Sequence, residues 1–297
     1  MILVVGATGQ LGGLIAQALI ERGFQVRILV REGSAYEAFV RAGAEPVAGD
    51  LKDPGSLLAA CAGVDTVVTT ANSSARGGTD TVESVDRLGN RNLIEAAGNA
   101  GVRRFVFLSN LGASPGNANP FMAAKGETEQ LLRNSGMSWT IIQPNLFMDK
   151  LPVIVVGLPA LAGQSVTLVG EGRRVHSLVA MHDVAQYVVA VVEHPERDGR
   201  LLVLGGPEPV SWRDVVAAFE LELGRPIPVQ TVPPGQPVSG MPDLLTGFLA
   251  LLETYDSRLD MGDLPASYGV EPTTLRTWVH HFVLESSAAP ASAFDKA

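Results

Sequence analysis

The chain has 297 residues, 46% of them hydrophobic, enough for one large α/β unit or for a large domain carrying a smaller lobe. Its 22 Lys and Arg against 31 Asp and Glu leave a net charge of −9, and no dense basic cluster occurs, so direct nucleic-acid binding is not expected. The single cysteine, Cys61, has no partner for an internal disulfide and reads as a small buried hydrophobe, which suits a reducing cytoplasm.

The first residues, ILVVGATG, are a strand and a glycine turn rather than a basic flank and an apolar leader, so no export signal is expected. Short β-branched runs follow at 2–5 (ILVV), 25–30 (QVRILV), 45–48 (EPVA), 66–70 (TVVTT), 104–109 (RFVFLS) and 138–143 (SWTIIQ). Helical stretches lie between them at Leu11–Arg22, Ala35–Ala42, Gly55–Ala62, Thr79–Ala100 and Pro120–Ser135. Continuous apolar strands alternating with periodic helices predict a parallel sheet covered on both faces, a doubly wound α/β fold.

Beyond Pro144 the alternation weakens. The segment 151–163 (LPVIVVGLPALAG) is too short and too rich in Pro and Gly to span a bilayer; it reads as a pocket lid or packing segment, with membrane association as the alternative. VTLV (166–169), VHSLV (175–179) and LLVLGG (201–206) predict short strands. Asp183 and Ser211 stand where helix N-caps belong, the first for a helix reaching Glu193 and the second for WRDVVAAFELEL. Prolines crowd 226–242, poor material for a helix or a central strand, and the tail from 286 is small and polar.

Gly6-Ala7-Thr8-Gly9-Gln10-Leu11-Gly12 closes a strand and opens a helix. Gly6 permits the tight turn, Gly9 lets backbone N–H groups approach a pyrophosphate, and Gly12 lets the helix pack on the sheet, so a dinucleotide site is expected, with a merely packing turn as the alternative. The second strand ends ILVRE. An arginine there, Arg31, neutralises a ribose 2′-phosphate and favours NADP(H) over NAD(H); Glu32 beside it could bind a ribose instead, and a solvated surface arginine is the plain alternative. Asp50, after the third strand, either meets the adenine edge or caps the next helix.

These segments, with FVFLSNLGAS, MAAKGETEQLLRNSGMSWTIIQPNLFMD, MHDVA and LVLGGPEPVSWRDVVAAFELELGRPI, resemble the NmrA-like group of atypical short-chain dehydrogenases/reductases across nearly all of residues 1–228. The resemblance implies an NAD(P)-binding Rossmann domain at 1–150, a smaller α/β substrate lobe at 151–285 with some segments returning to the Rossmann sheet, and a disordered tail at 286–297. It implies cofactor contacts from Gly6, Thr8, Gly9, Gln10, Leu11, Gly12, Arg31, Asp50, Leu51, Thr70, Ala71, Asn72, Lys125, Pro144 and Asn145, and substrate contacts from Asn110, Phe121, Phe147 and Met148. For Asn145, Phe147 and Met148 ordinary loop packing is the alternative.

Short-chain dehydrogenases usually carry a tyrosine four residues before the lysine of this helix, and here Phe121 stands four residues before Lys125. In the isoflavone-reductase-like branch the tyrosine is also absent and the lysine has the acid/base role. Lys125 matches that lysine, and burial or a cationic ring nearby would bring its pKa towards neutrality; its plain alternative is a surface ion pair with Glu127 or Glu129. Ser109, at the carboxyl end of the fifth strand, could polarise a carbonyl or only bond the local backbone. The histidines have no metal-ligand spacing, and no G-x-S-x-G elbow occurs.

The expected function is an NADPH-dependent oxidoreductase that passes hydride to an apolar aromatic or conjugated carbonyl compound, quinone-like or enone-like. The alternatives are a non-catalytic NADP(H)-binding redox sensor, regulator or assembly factor and, more weakly, a sugar-nucleotide epimerase. A homodimer fits such folds but no residue argues for it.

Overall fold

The computed structural model describes residues 1–74 and 77–288. In chain order the elements are β1 (Ile2–Val5), α1 (Gln10–Glu21), β2 (Val26–Val30), α2 (Glu37–Arg41), β3 (Glu45–Ala48), α3 (Pro54–Cys61), β4 (Thr66–Thr69), α4 (Leu88–Asn99), β5 (Arg104–Leu108), α5 (Pro120–Arg133) and β6 (Ser138–Pro144). They continue with α6 (Leu158–Leu161), β7 (Val166–Val169), β8 (Val175–His176), α7 (Met181–Glu193), β9 (Arg200–Leu204), β10 (Val210–Ser211), α8 (Trp212–Leu223), β11 (Val229–Val232), α9 (Asp243–Leu252), α10 (Leu264–Tyr268) and α11 (Leu275–Ala288).

Two compact units emerge. The first comprises Met1–Pro144, Met181–Leu204 and Ala266–Val270, and holds a seven-stranded sheet in the order β3-β2-β1-β4-β5-β6-β9. Every pairing in it is parallel. Strand order reverses beside β1, so the carboxyl ends of β1 and β4 flank the crevice where open α/β sheets bind ligands. Helix α3 and α4 pack together, as do α1 and α7. The interior strands need no polar face for this reason: all four residues of β1 are buried, as are those of β4. Leu3, Leu57, Val67, Leu93, Phe105 and Phe107 meet in one apolar core, each burial stabilising by about 1.5–3 kcal/mol.

Several boundaries differ from the sequence reading. The helix expected at Thr79–Ala100 starts with a π-helical turn at Val82–Arg87, capped reciprocally by Thr81 and Ser84, before α4 proper. The wider turn carries Asp86 into the interior, where its side chain is fully buried. Helix α7 begins at Met181, two residues before the expected cap, so Asp183 is a buried member of the first turn instead of the N-cap. LLVLGG supplies β9, the seventh strand of the main sheet.

The second unit comprises Asn145–Ala180, Gly205–Pro265 and Glu271 onward. It has two small sheets, β8 antiparallel to β10 and β7 parallel to β11. Of VHSLV only Val175–His176 pairs with β10, because the Ser177 amide donates to the Ser257 carbonyl instead. β11 sits in the proline-crowded stretch, where it needs only one partner strand. Ser211 caps α8 as expected, in a reciprocal box with Asp214. The 151–163 segment is a packing element: Val155, Val156 and Ala160 lie in this unit's core, and Gly157 abuts Phe219 and Phe282. Helix α11 runs on through Ala288, and residues 289–297, within the tail expected to be disordered, lie outside the described residues. Among the described residues no helix is long and apolar enough to cross a membrane.

Candidate functional site

The glycine turn is built by close approach. Gly6 has φ +94°, and a methyl group on Gly12 would lie 2.1 Å from the Gly6 carbonyl oxygen. Only glycine lets α1 start this near β1. Gly9 stands at the N-cap with no side chain to cap the helix, so the first amides of α1, through Gln10 and Leu11, are left for an anion. Thr70, just after β4, lies under the turn; a methyl group on Gly6 would meet its Oγ1 at 2.6 Å. Asn72 donates to the Thr70 carbonyl at 3.2 Å and holds the strand end in shape.

A hollow beside this turn is lined by Gly6, Thr8, Arg31, Asp50, Leu51 and Ala71, together with Asp80 and Val85. Six residues picked from sequence for cofactor contact therefore come together. Glu32 is exposed and does not line the hollow. Asp50 does not cap α3; Asp53 does, accepting from the Gly55 amide at 3.0 Å, while the Asp50 carboxylate accepts from the Lys52 amide at 2.8 Å. Arg31 Nη1 donates to Asp80 Oδ2 at 2.7 Å, and Lys52 Nζ donates to Asp80 Oδ1 at 2.5 Å. Lys52 and Asp80 escaped the sequence reading. Lys52 was legible in the turn GDLKD, two residues past Asp50; Asp80 comes from the segment after β4 and had no local signal.

The second cluster stands at the carboxyl end of β5. Asn119 caps α5, accepting from the amides of Phe121 and Met122, and Pro120 starts the helix without needing a donor. Lys125, one turn in, is 2% exposed. Its Nζ donates to the Leu108 carbonyl at 2.8 Å and faces the rings of Phe107 and Phe121, 4.8 Å and 5.6 Å from their centroids. Burial pushes the amine down to about 8, against the pull of the Asp86 and Glu129 carboxylates. The surface ion pair is thus excluded: Glu127 pairs with Arg87, and Glu129 is bonded elsewhere.

Glu129 accepts from Ser109 Oγ at 2.5 Å, Gln143 Nε2 at 2.7 Å and Arg133 Nη1 at 3.3 Å. The Ser109 hydroxyl proton is therefore directed into the protein, at a buried carboxylate, which accounts for the serine without substrate. The next residue makes a close approach: a methyl group on Gly126 would lie 2.2 Å from the carbonyl carbon of Ser114, so the loop after β5 lies directly on α5. Asn110, at the start of that loop, is half-buried, and its carbonyl accepts from the Ala113 amide.

Pro144 ends β6 and accepts from the Leu111 amide. Asn145, Phe147 and Met148 belong to the second unit. Asn145 Nδ2 donates to the Ser177 carbonyl at 3.0 Å and to Ser257 Oγ at 3.1 Å. Phe147 bridges to Val179, and Met148 is wholly buried in that unit's apolar core.

The family described as NAD(P)H-binding matches residues 6–195. The NAD(P)H azoreductase of Xenophilus azovorans is 32% identical over 228 residues, 76% of this chain and 75% of that protein. The photosystem II assembly factor Ycf39 of Cyanophora paradoxa is 31% identical over 232 residues, 78% of this chain and 71% of that one. In fold, the NADPH-dependent quinone oxidoreductase of Escherichia coli complexed with NADPH superposes with a TM-score of 0.80 at 23% identity, covering 95% of this chain and 100% of that one.

Proposed function

This chain belongs to the NAD(P)H-binding family, and we propose that it is an NADPH-dependent reductase of a flat, apolar carbonyl compound of quinone or enone type. The observation that carries the proposal is Lys125: a buried amine with its pKa near 8, at the same strand edge as the glycine turn. The glycine turn fits a pyrophosphate, and Arg31, which lines the hollow beside it, is the group a 2′-phosphate would pair with.

When bound, the nicotinamide supplies the hydride. Lys125 holds a proton on Nζ at neutral pH, close enough to its pKa to release it to a developing alkoxide. The Leu108 carbonyl fixes where that nitrogen sits, and the rings of Phe107 and Phe121 keep water from it. Phe121 is half-buried and offers a face on which a planar substrate stacks. Cys61 takes no part: burial raises its thiol to about 11, so it stays protonated and inert.

A second reading, a cofactor-binding regulator or assembly factor without turnover, is favoured by Phe121, which has no proton to give, and by the likeness to Ycf39. The test is NADPH oxidation against a panel of quinones and azo dyes by the wild type and Lys125→Met. A fall in kcat of about 10²–10⁴ in the variant is expected. Unchanged turnover would remove Lys125 from the chemistry, and selective NADPH binding with no turnover of any acceptor would favour the regulator.

A further inference from the structure

We propose that Asp80 is a specificity-determining residue that fills the 2′-phosphate subsite with an internal carboxylate, so that a phosphorylated cofactor binds by displacing it. The inference rests on NADPH being the cofactor, as proposed above, and concerns how that cofactor is admitted.

The geometry is that of a stand-in anion. One Asp80 oxygen takes Arg31 Nη1 at 2.7 Å and the other takes Lys52 Nζ at 2.5 Å, as two oxygens of one phosphate would. Asp50 stands further back, its Oδ2 3.9 Å from Arg31 Nη1 and 3.8 Å from Lys52 Nζ, beyond hydrogen-bonding distance. Asp80 is also the most enclosed of the four: its side chain is 8% exposed, against 38% for Arg31 and 33% for both Lys52 and Asp50. Both cations are therefore occupied, and held in place, before any ligand arrives.

The charges decide the consequence. Among the described residues two cations and two carboxylates meet here and sum to zero, and a phosphate monoester brings about −1.5 to −2 at neutral pH. With Asp80 in position these four groups offer the phosphate no net positive charge. With Asp80 turned away, Arg31 and Lys52 face it against Asp50 alone. A ribose 2′-hydroxyl needs no such displacement, because it can donate to a carboxylate as it stands. Asp80 therefore narrows the gap in affinity between phosphorylated and unphosphorylated cofactor, and it limits how tightly NADPH is held and how fast it leaves.

The experiment is calorimetric titration of the full chain with NADPH and with NADH, for the wild type, Asp80→Asn and Lys52→Gln. Asp80→Asn is expected to tighten NADPH by about tenfold and to leave NADH within about twofold or weaker. Lys52→Gln is expected to weaken NADPH by about tenfold and to spare NADH, which keeps the test open should Asp80→Asn fold poorly. An unchanged ratio of the two affinities in Asp80→Asn, weaker NADPH binding in it, or no effect of Lys52→Gln on NADPH overturns the inference while a selective wild type leaves the NADPH reading standing. If the wild type prefers neither cofactor and Asp80→Asn prefers NADPH, the placeholder is upheld and the NADPH reading falls. If no protein in the set binds either cofactor, both fall.

Discussion

The two clusters of the first unit handle positive charge in opposite ways. Just past the ends of β2 and β3, Arg31 and Lys52 are partly exposed and meet carboxylates directly. At the end of β5 Lys125 is buried and meets only a backbone carbonyl and two aromatic rings. A cation at the surface serves as a handle for an anion. A cation taken out of water without a direct counter-ion gives up its proton easily. A carboxylate-paired cation and a buried amine of lowered pKa are thus separated along one edge of the sheet by how much water each group retains.

The comparison breaks most visibly at Arg31. Arg31→Met is expected to weaken NADPH by about tenfold to a hundredfold with NADH little changed, read by titration calorimetry. Equal losses for both cofactors would place Arg31 away from the phosphate.

The opposite end is sharpened by stability. The Lys125 pKa is 10.5 in the unfolded chain and about 8 in the folded protein, so the unfolded state binds more protons between those values and stability rises with pH across that window. Below about pH 8 the whole cost of burying the charge is present. Lys125→Met is therefore expected to stabilise the protein at pH 7 by about 1–3 kcal/mol, a gain that fades towards pH 10.5. Urea midpoints at the two pH values would measure it, and a loss at pH 7 would contradict the burial cost. The smallest effect belongs to Glu129, whose charge holds the amine's pKa up. Glu129→Gln should shift the alkaline limb of the rate profile, near pH 8 in the wild type, to lower pH by less than about one unit.

The sheet was legible because its central strands are apolar on both faces. ILVV and TVVTT have no other reading between helices, and the glycine turn marks where they lead. β9 was legible as a strand but not by its place, since an apolar run reads alike in either unit. The placement of Arg31 and Asp50 followed from strand ends, which local sequence defines. Asp80 did not, because its role depends on a segment folding back onto β2 and β3. The burial of Lys125 was equally hidden: Glu129 at i+4 reads as an ion-pair partner, and only contact with Ser109 and Gln143 turns it inward. Asp183 was mistaken for a cap because capping residues and first-turn acids share a composition.

The burial of Lys125 has a chemical result of its own. An amine that titrates near 8 beside a carbonyl compound is also a nucleophile, prone to condense into an imine and be lost to a dead end. With Lys125 2% exposed and Nζ held on the Leu108 carbonyl between two aromatic rings, the same burial that lowers its pKa also shields it from condensing with carbonyl compounds in solution.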